Sequence, residues 1–325
     1  MKSLQFMSAG SFEVSELPMP KILDDEVLLA SRVVGICHSD VDLLEGRYII
    51  PFEYPLIPGH EWSAEVLEVG RSVRTLAPGD RVVGECVIGE DHFGFTISGA
   101  AAEYFVAKPH WLHKIPDSLT WSQGALIEPF SCGYSATLRA DNPDASDTVV
   151  VLGAGTIGLG VIAASAAKGA RVIVIEPTAS RVALARRLGA EQSLDPTSPT
   201  FLQEWNEMTS GAGASVVIEA TGKPEAMATA LELAGIGARV VNVGINVGDS
   251  TSARLGLIQS KELQIRGIIG SPGIWPQTIA FLDRTGIDLS PLVSSIFPLA
   301  EADQAMETVL NDKSQVKVHM MSSAA

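Results

Sequence analysis

Short stretches of alternating apolar and polar residues fill the first third of the chain. Residues 26–34, 62–69 and 80–83 each alternate in this way or are rich in β-branched side chains, and Pro-Gly pairs separate them. Helical periodicity is nearly absent before Ser122. The pattern predicts an irregular, β-barrel-like domain up to about residue 132.

A different pattern begins near Asp147, where apolar strands alternate with Ala- and Leu-rich helical stretches. The predicted strands are 148–152, 171–176, 215–219, 238–243 and 263–269, and the predicted helices are 156–168, 180–188 and 224–233. This alternation is typical of a parallel, doubly wound α/β sheet. After a break at 270–273, a helix at 277–283 opens a short C-terminal region.

Composition narrows the class of protein. The chain has 325 residues and a formal net charge of −15, which argues against binding to nucleic acid or to anionic lipid. The length favours two domains. No apolar run reaches the roughly 18–20 residues of a membrane span, and the N-terminus lacks the apolar core of a signal peptide. Three scattered cysteines do not form a disulfide framework, so we expect a cytoplasmic protein.

A glycine-rich turn joins the strand at 148–152 to the following helix. Residues 153–158 match Gly-x-Gly-x-x-Gly, with the strand before it and the helix after it that a dinucleotide site requires. Gly153 suits the tight turn, Gly155 the approach to a pyrophosphate and Gly158 the close packing of helix on strand. Thr156 and Ile157 open the helix, whose N-terminus favours phosphate.

The next strand ends in Glu176, at the distance expected for a carboxylate that binds the ribose hydroxyls of NAD. Its charge disfavours the 2′-phosphate of NADP, although Arg181 lies nearby and leaves NADP open. Positions just past two later strands are weaker cofactor candidates, because turn glycines also occur for backbone reasons alone. These positions are Thr221, Gly222, Val243 and Gly244.

Two short polar clusters interrupt the β-rich region. The first is Cys37-His38-Ser39-Asp40, and the second is His60-Glu61. Thiolate, imidazole and carboxylate are ligands that zinc accepts. A single Cys is most often a buried apolar filler, so neither cluster is specific alone. Beside a dinucleotide site, the two together indicate a catalytic metal.

These features resemble the medium-chain zinc-dependent alcohol and polyol dehydrogenases along nearly the whole chain. The resemblance is carried by residues 35–40, 59–61, 79–83, 128–129 and 153–158. It implies a GroES-like β-barrel catalytic domain formed by 1–132 and 271–325, with a Rossmann NAD-binding domain at 133–270. It also implies hydride transfer between a secondary alcohol and NAD, with one catalytic zinc per chain.

By this resemblance, Cys37 and His60 are zinc ligands, and Glu61 is a carboxylate that can bind the metal when solvent leaves. The third protein ligand is expected to be Glu128, as in the sorbitol-dehydrogenase branch. Cys132 is the rival, because it lies four residues on and would share a helix face with Glu128.

The resemblance also implies roles for the residues beside Cys37. Ser39 corresponds to the hydroxyl of a proton relay, and Asp40 to a carboxylate that orients a ligand. His38 corresponds to a basic position at the cofactor pyrophosphate. For Ser39 and Asp40 the alternative is a polar turn that caps a helix.

Most relatives carry a lobe with four cysteines and a structural zinc, and this sequence has no counterpart. Residues 84–92 lead directly into Phe93, and Cys86 alone cannot build such a site. Either the protein lacks the lobe or a segment is missing near Glu90. We predict no structural zinc in this chain.

The substrate is less constrained. The resemblance favours a polyol, cyclitol or amino-cyclitol, as in 2-deoxy-scyllo-inosamine dehydrogenases, and threonine dehydrogenases are also similar. Tyr48, Phe93, Phe130 and Trp275 are equally plausible as pocket walls and as buried core. The alternatives are a zinc-free quinone or enoyl reductase and a non-catalytic NAD-binding redox sensor. A homodimer or homotetramer is expected, through a strand at 263–269.

Overall fold

The computed structural model describes residues 1–246 and 248–323. The chain folds into two units, each built on its own β-sheet. Unit 1 comprises Met1–Glu128 and Ser271–Ala325, and unit 2 comprises Pro129–Gly270. We predicted a domain boundary after residue 132, and the division of the structure falls after Glu128, within the same helix. No helix in the described ranges is both long and apolar enough to cross a membrane.

The N-terminal part of unit 1 consists mainly of strands. In chain order its elements are β1 (Lys2–Ser8), β2 (Ser11–Glu16), β3 (Val27–Ile36), α1 (His38–Leu44), β4 (Glu61–Val69), β5 (Arg81–Gly84), β6 (Val87–Ile88), β7 (Asp91–His92), β8 (Tyr104–Ala107), a 3-10 turn (Pro109–Trp111), β9 (Leu112–Lys114) and α2 (Trp121–Ala125). Helix α3 (Ile127–Arg139) follows.

Unit 2 alternates strands and helices. Its elements are β10 (Thr148–Leu152), α4 (Thr156–Ala167), β11 (Arg171–Ile175), α5 (Ala179–Arg187), β12 (Gln192–Leu194), α6 (Phe201–Met208), β13 (Ala214–Glu219), α7 (Pro224–Leu233), β14 (Ala234–Asn242), α8 (Gly256–Ser260) and β15 (Gln264–Gly267). The chain then returns to unit 1 with α9 (Trp275–Thr285), a 3-10 turn (Ser290–Leu292), β16 (Val293–Pro298), a 3-10 turn (Leu299–Glu301), α10 (Ala302–Asn311) and β17 (Lys317–Met321).

A seven-stranded sheet organises unit 1. Its order is β16-β17-β3-β4-β5-β9, with β8 also paired to β3. The C-terminal strand β17 therefore lies antiparallel to β3, far away in sequence. The aromatic rings of Trp62 on β4, Phe105 on β8 and Phe93 contact one another in the core of unit 1, with centroids 4.8–5.6 Å apart. Burying each such side chain stabilises the fold by roughly 1.5–3 kcal/mol.

The sheet of unit 2 is parallel throughout. Its order is β12-β11-β10-β13-β14-β15, so its strands run 3-2-1-4-5-6 in order of sequence. This is the order of a dinucleotide-binding Rossmann sheet, and it confirms the predicted doubly wound α/β fold. The carboxyl ends of β10, β11, β13 and β14 lie at one edge, where such sheets bind ligands.

Helix α1 was not predicted from the sequence, which indicated almost no helix before Ser122. Six of its seven residues, Ser39 to Leu44, are buried. The helix has only seven residues, and its buried positions include the polar residues Ser39, Asp40 and Asp42, so no apolar stripe marks it in the sequence. Its start is fixed locally, because the Asp40 carboxylate accepts a hydrogen bond of 2.8 Å from the Cys37 amide.

Candidate active site

Strand pairing in unit 1 brings the two predicted metal-binding clusters together. Cys37 follows β3 directly, and Glu61 opens the neighbouring strand β4. The antiparallel register places Gly35 opposite Glu61. Cys37 and His60 therefore meet at one end of the β3–β4 pair, although 22 residues lie between them in sequence.

Among the described residues, Cys37, His60 and Glu61 form the one group of three whose possible ligand atoms all lie within 4.8 Å of one another. His60 and Glu61 are buried, and Cys37 is half-buried. Thiolate, imidazole and carboxylate are a donor set that suits zinc. The residues present therefore fit a zinc ion.

Asp40 and Ser39 lie on either side of the His60 ring. An Asp40 oxygen is 3.6 Å from His60 Nδ1, and Ser39 Oγ is 3.4 Å from Nε2. Burial alone favours the neutral imidazole, but the carboxylate of Asp40 and the thiol of Cys37 outweigh it and raise the pKa of His60 well above its usual value. A carboxylate behind an imidazole is the arrangement that orients histidine ligands in metal sites.

Sequence reasoning missed Lys317, which is the cation of this site. Its ammonium group donates to both Glu61 oxygens, at 2.5 and 2.7 Å, and to the carbonyl of Ile36 at 3.0 Å. Burial lowers the pKa of Lys317, and the Glu61 charge outweighs burial and raises it. Because Lys317 engages both Glu61 oxygens, Glu61 must exchange partners before it can bind a metal.

A signal for Lys317 exists in the sequence. Residues 316–321 read Val-Lys-Val-His-Met-Met, so a lysine stands within an apolar strand. Lysine is almost never fully buried unless it is paired. The pattern therefore indicates a buried acidic partner, but it does not say which acid.

Glu128 is not part of the group within 4.8 Å, although it is buried at the start of α3. Its carboxylate nevertheless influences the pKa of Cys86, which Cys37 and His60 of the group also influence. Burial is the main cause that raises the pKa of the Cys86 thiol to about 12, and Glu128, Cys37 and Asp40 raise it further while His60 lowers it. Glu128 thus lies within electrostatic range of this site. Cys132, the rival ligand, is half-buried in unit 2 and is not in a disulfide.

Of the predicted pocket walls, Tyr48 is the one linked to the metal-binding residues. Its ring stacks on Phe95 with centroids 4.9 Å apart, and Phe95 lies 4.7 Å from the His60 ring. Phe95 was not singled out from the sequence. Phe93 belongs to the aromatic core, and Trp275 is buried and stacks on His113 at 5.9 Å. Phe130 is buried in unit 2, where its ring lies 6.2 Å from that of Tyr134.

A small hairpin occupies residues 86–93, the stretch in which the resemblance to the family implied a cysteine-rich lobe and the sequence has none. Strands β6 and β7 pair antiparallel through Val87–His92 and Ile88–Asp91. The Phe93 amide donates to the Cys86 carbonyl at 2.8 Å and closes the hairpin. Residues 86–93 therefore form a regular connection from β5 toward Phe95.

In unit 2, the glycine-rich turn has the geometry that the sequence predicts. Gly153 has a φ of +93°, which favours glycine, and its amide donates to Ile175. A Cβ atom on Gly158 would lie 2.0 Å from the Gly153 carbonyl oxygen. Gly155 precedes α4, which begins with Thr156 and Ile157, so the helix N-terminus faces the turn.

Glu176 is held beside this turn. Its carboxylate accepts hydrogen bonds from the Ala154 amide at 2.9 Å and from the Thr178 amide at 3.0 Å. The side chain is buried, and it links the end of β11 to the glycine-rich turn. This is the location expected for a carboxylate that binds the adenosine ribose.

The remaining predicted cofactor residues lie in both units. In unit 2, Thr221 follows β13, while Val243 and Gly244 follow β14. Arg181 is half-buried on α5. In unit 1, His38 is exposed as the first residue of α1.

Comparisons with known proteins support the fold and identify the family. Residues 23–117 match the family model of the alcohol dehydrogenase GroES-like domain, and residues 156–284 match that of the zinc-binding dehydrogenases. Sorbitol dehydrogenase of Ovis aries is 33% identical over 94% of this chain and 92% of that protein. D-arabitol-phosphate dehydrogenase of Enterococcus avium is 30% identical over 99% of this chain and 98% of that protein. The crystal structure of 2R,3R-butanediol dehydrogenase from Bacillus subtilis superimposes with a TM-score of 0.90 at 28% identity, covering 98% of this chain and 99% of that one.

Proposed function

The chain belongs to the medium-chain zinc-dependent alcohol and polyol dehydrogenases, and on that premise we propose that it oxidises a secondary alcohol of a polyol or cyclitol to the ketone with NAD. In this reaction hydride moves from the carbinol carbon to the nicotinamide ring, and the hydroxyl proton is released. Alcohol and NAD thus become ketone, NADH and a proton.

The observation that carries the proposal is the group formed by Cys37, His60 and Glu61 within 4.8 Å. Cys37 and His60 would hold the zinc, with Glu61 available when it leaves Lys317. When bound, zinc would supply Lewis-acid chemistry and acidify an alcohol. A zinc-free reductase has no use for a thiol, an imidazole and a carboxylate at one point.

Ser39 and Asp40 have separate roles in this proposal. The Ser39 hydroxyl, buried and 3.4 Å from His60 Nε2, would receive the substrate proton and pass it on. Asp40 would keep the His60 ring in place from the Nδ1 side and hold the Cys37 amide. Asp40 thereby fixes the two ligand-bearing residues relative to each other.

The cofactor would be NAD rather than NADP. Two amides hold the Glu176 carboxylate at the end of β11, so its charge stays beside the adenosine ribose. A 2′-phosphate would meet that charge at close range. Gly153, Gly155 and Gly158 would receive the pyrophosphate, with Thr156 and Ile157 at the helix N-terminus. Arg181, Thr221, Val243 and Gly244 would border the cofactor, and His38 would reach its pyrophosphate.

The third protein ligand would be Glu128. Its support is electrostatic, because Glu128 acts on Cys86 and Tyr48 together with Cys37. A Glu128→Gln variant should then lose zinc, whereas Cys132→Ser should keep it. The opposite result would transfer the ligand role to Cys132.

We further propose a homodimer or homotetramer in the cytoplasm. Strand β15 is an edge of the parallel sheet, and it exposes Ile265, with Ile269 exposed just beyond it. Apolar side chains on a free sheet edge favour pairing with a second copy. None of the three cysteines is in a disulfide, which supports a reducing compartment.

A substrate panel tests the proposed reaction. Open-chain polyols, their phosphates, cyclitols, amino-cyclitols and threonine are each offered with NAD or NADP, and NADH or NADPH absorbance is followed. We expect turnover with a polyol or cyclitol and NAD. Turnover with none of these compounds, by protein that binds NADH, would support the redox-sensor alternative.

Variants then test the site. Cys37→Ser and His60→Ala should abolish turnover and lower the zinc content while NADH binding stays nearly intact. Cys86→Ser is the matched control, because Cys86 lies near the group but outside it, and it should retain zinc. Wild-type turnover in either ligand variant would contradict the zinc assignment.

A further inference from the structure

A second buried carboxylate lies at the carboxyl ends of the parallel strands, where such sheets bind ligands. Glu219 is the last residue of β13, and its relative exposure is 0%. Its carboxylate accepts hydrogen bonds from the Thr221 amide at 2.6 Å, the Thr221 hydroxyl at 2.5 Å and the Gly222 amide at 3.1 Å. A carboxylate that accepts this many short bonds fixes the turn that follows it.

The Thr221 side chain is fixed on both sides. Its hydroxyl donates to Glu219 and accepts from the Lys223 amide at 3.0 Å. Its methyl group faces the glycine-rich turn, since a Cβ atom on Gly153 would lie 2.6 Å from Thr221 Cγ2. Glu219 therefore sets the location of the group that borders Gly153.

Glu219 also connects to the next strand. Its backbone carbonyl accepts hydrogen bonds from the Val243 and Gly244 amides, at 2.9 and 3.0 Å. A Cβ atom on Gly244 would lie 2.1 Å from the Gly222 amide nitrogen and 2.6 Å from a Glu219 carboxylate oxygen. The loops after β10, β13 and β14 thus contact one another, with Glu219 between the last two.

The order of the strands indicates which part of a dinucleotide these loops meet. A Rossmann sheet binds its cofactor across the point where the strand order reverses, with one mononucleotide on each half. Glu176, the proposed carboxylate for the adenosine ribose, directly follows β11, which lies on one side of β10. Strands β13 and β14 lie on the other side, so their loops meet the nicotinamide half.

We propose that Glu219 is a positioning residue for the nicotinamide half of NAD, acting through the Thr221–Gly222 turn. Its carboxylate is taken up by three donors of that turn, so Glu219 shapes the site without touching the cofactor. This inference rests on the proposed binding of NAD. It predicts that only ligands carrying the nicotinamide half lose affinity when Glu219 is changed, because other residues hold the adenosine half.

The test compares two ligands on the same variants. NADH carries both halves of the cofactor, and AMP carries the adenosine half alone. In Glu219→Gln an amide NH₂ replaces one acceptor oxygen and faces the turn amides. We expect the Kd of NADH to rise about tenfold, the effect of losing a hydrogen bond to a charged group. The Kd of AMP, measured by calorimetry, should change by less than about twofold.

Asp147→Asn is the matched control. Asp147 precedes β10 at the opposite end of the same sheet, where it pairs with Arg239 and accepts from Ser215 Oγ at 2.8 Å. The same change of carboxylate to amide there should leave both dissociation constants unaltered. Bound-NADH fluorescence adds a spectroscopic readout, which we expect to shift in Glu219→Gln and to remain unchanged in Asp147→Asn.

Two further variants keep the inference testable if Glu219→Gln does not fold. Thr221→Val removes the hydroxyl that bonds Glu219, and Thr221→Ser retains it. We expect weaker NADH binding in Thr221→Val and recovery in Thr221→Ser. Equal loss of NADH and AMP binding, or no loss of either, would overturn the role of Glu219. If the wild-type protein binds no NADH, the proposed function fails instead.

Discussion

Removing the cation of the Glu61–Lys317 pair is expected to destabilise unit 1 strongly. Both side chains are almost completely buried, with exposures of 1% and 3%. In Lys317→Met the aliphatic stem is largely kept, but Glu61 loses the donor to both its oxygens, and the Ile36 carbonyl loses its donor as well. Leaving one member of a buried ion pair unpaired costs about 3–5 kcal/mol.

A double variant separates the cost of the unpaired Glu61 charge from the cost of damaged packing. When both members of a buried pair become apolar, the cost of burying a lone charge disappears. Glu61→Leu with Lys317→Met should therefore be more stable than Lys317→Met alone. The difference measures the penalty of the unpaired carboxylate, since the two residues are in direct contact.

Urea unfolding of the metal-free protein, followed by tryptophan fluorescence, is the assay. Trp62, Trp111, Trp121 and Trp275 lie in unit 1, so the signal reports mainly that unit. A loss below about 1 kcal/mol in Lys317→Met, the size typical of a surface pair, would refute the reasoning. So would a double variant that is less stable than the single one.

Three further predictions concern other parts of the chain. Gly158→Ala should weaken NADH binding and destabilise unit 2, because the new Cβ would lie 2.0 Å from the Gly153 carbonyl oxygen. Gly155→Ala should weaken NADH binding at a stability cost below about 1 kcal/mol, since among the described residues, its chain neighbours aside, no atom lies within 4 Å of its Cβ. Equal stability loss in the two variants would contradict this. Cys86 should resist alkylation at neutral pH, because burial raises the pKa of its thiol to about 12, and its rate should rise as the pH approaches that value; peptide mapping that finds Cys86 labelled as fast as free cysteine would refute this. Glu176→Ala should reduce the preference for NAD over NADP, measured as the ratio of the two kcat/KM values, and an unchanged ratio would remove Glu176 from the ribose site.

Much of unit 2 could be predicted from the sequence, because its strands are uniformly apolar and its helices begin at recognisable turns. The predicted helix at 224–233 is confirmed as α7, and the predicted helix at 156–168 ends one residue earlier, as α4. The short strand β12 and helix α6 were not predicted. Three residues are too few to show a period of two.

The candidate site of unit 1 was less accessible to sequence reasoning. Cys37 and His60 could be named, but their proximity depends on the pairing of β3 with β4. Lys317 enters the site through β17, a strand far away in sequence that local patterns do not connect to β3. Long-range pairing of this kind is fixed by the packing of the whole sheet rather than by residue spacing.

The contacts of Glu219 could not be predicted from the sequence either. The sequence predicts a strand that ends at this residue and a glycine shortly after it. Whether a terminal carboxylate faces solvent or turns back onto the next amides depends on the backbone path of the turn. Here the Gly222–Gly244 contact leaves the carboxylate no exposed surface.

The central claim is zinc-dependent oxidation of an alcohol with NAD, and the most direct measurement follows zinc content and turnover on one sample. Zinc is removed with a chelator and then restored, while NADH formation from the best substrate of the panel and NADH binding are recorded. The account predicts that turnover disappears with the metal and returns at about one zinc per chain, with NADH binding retained throughout. Full turnover by the zinc-free protein would contradict it.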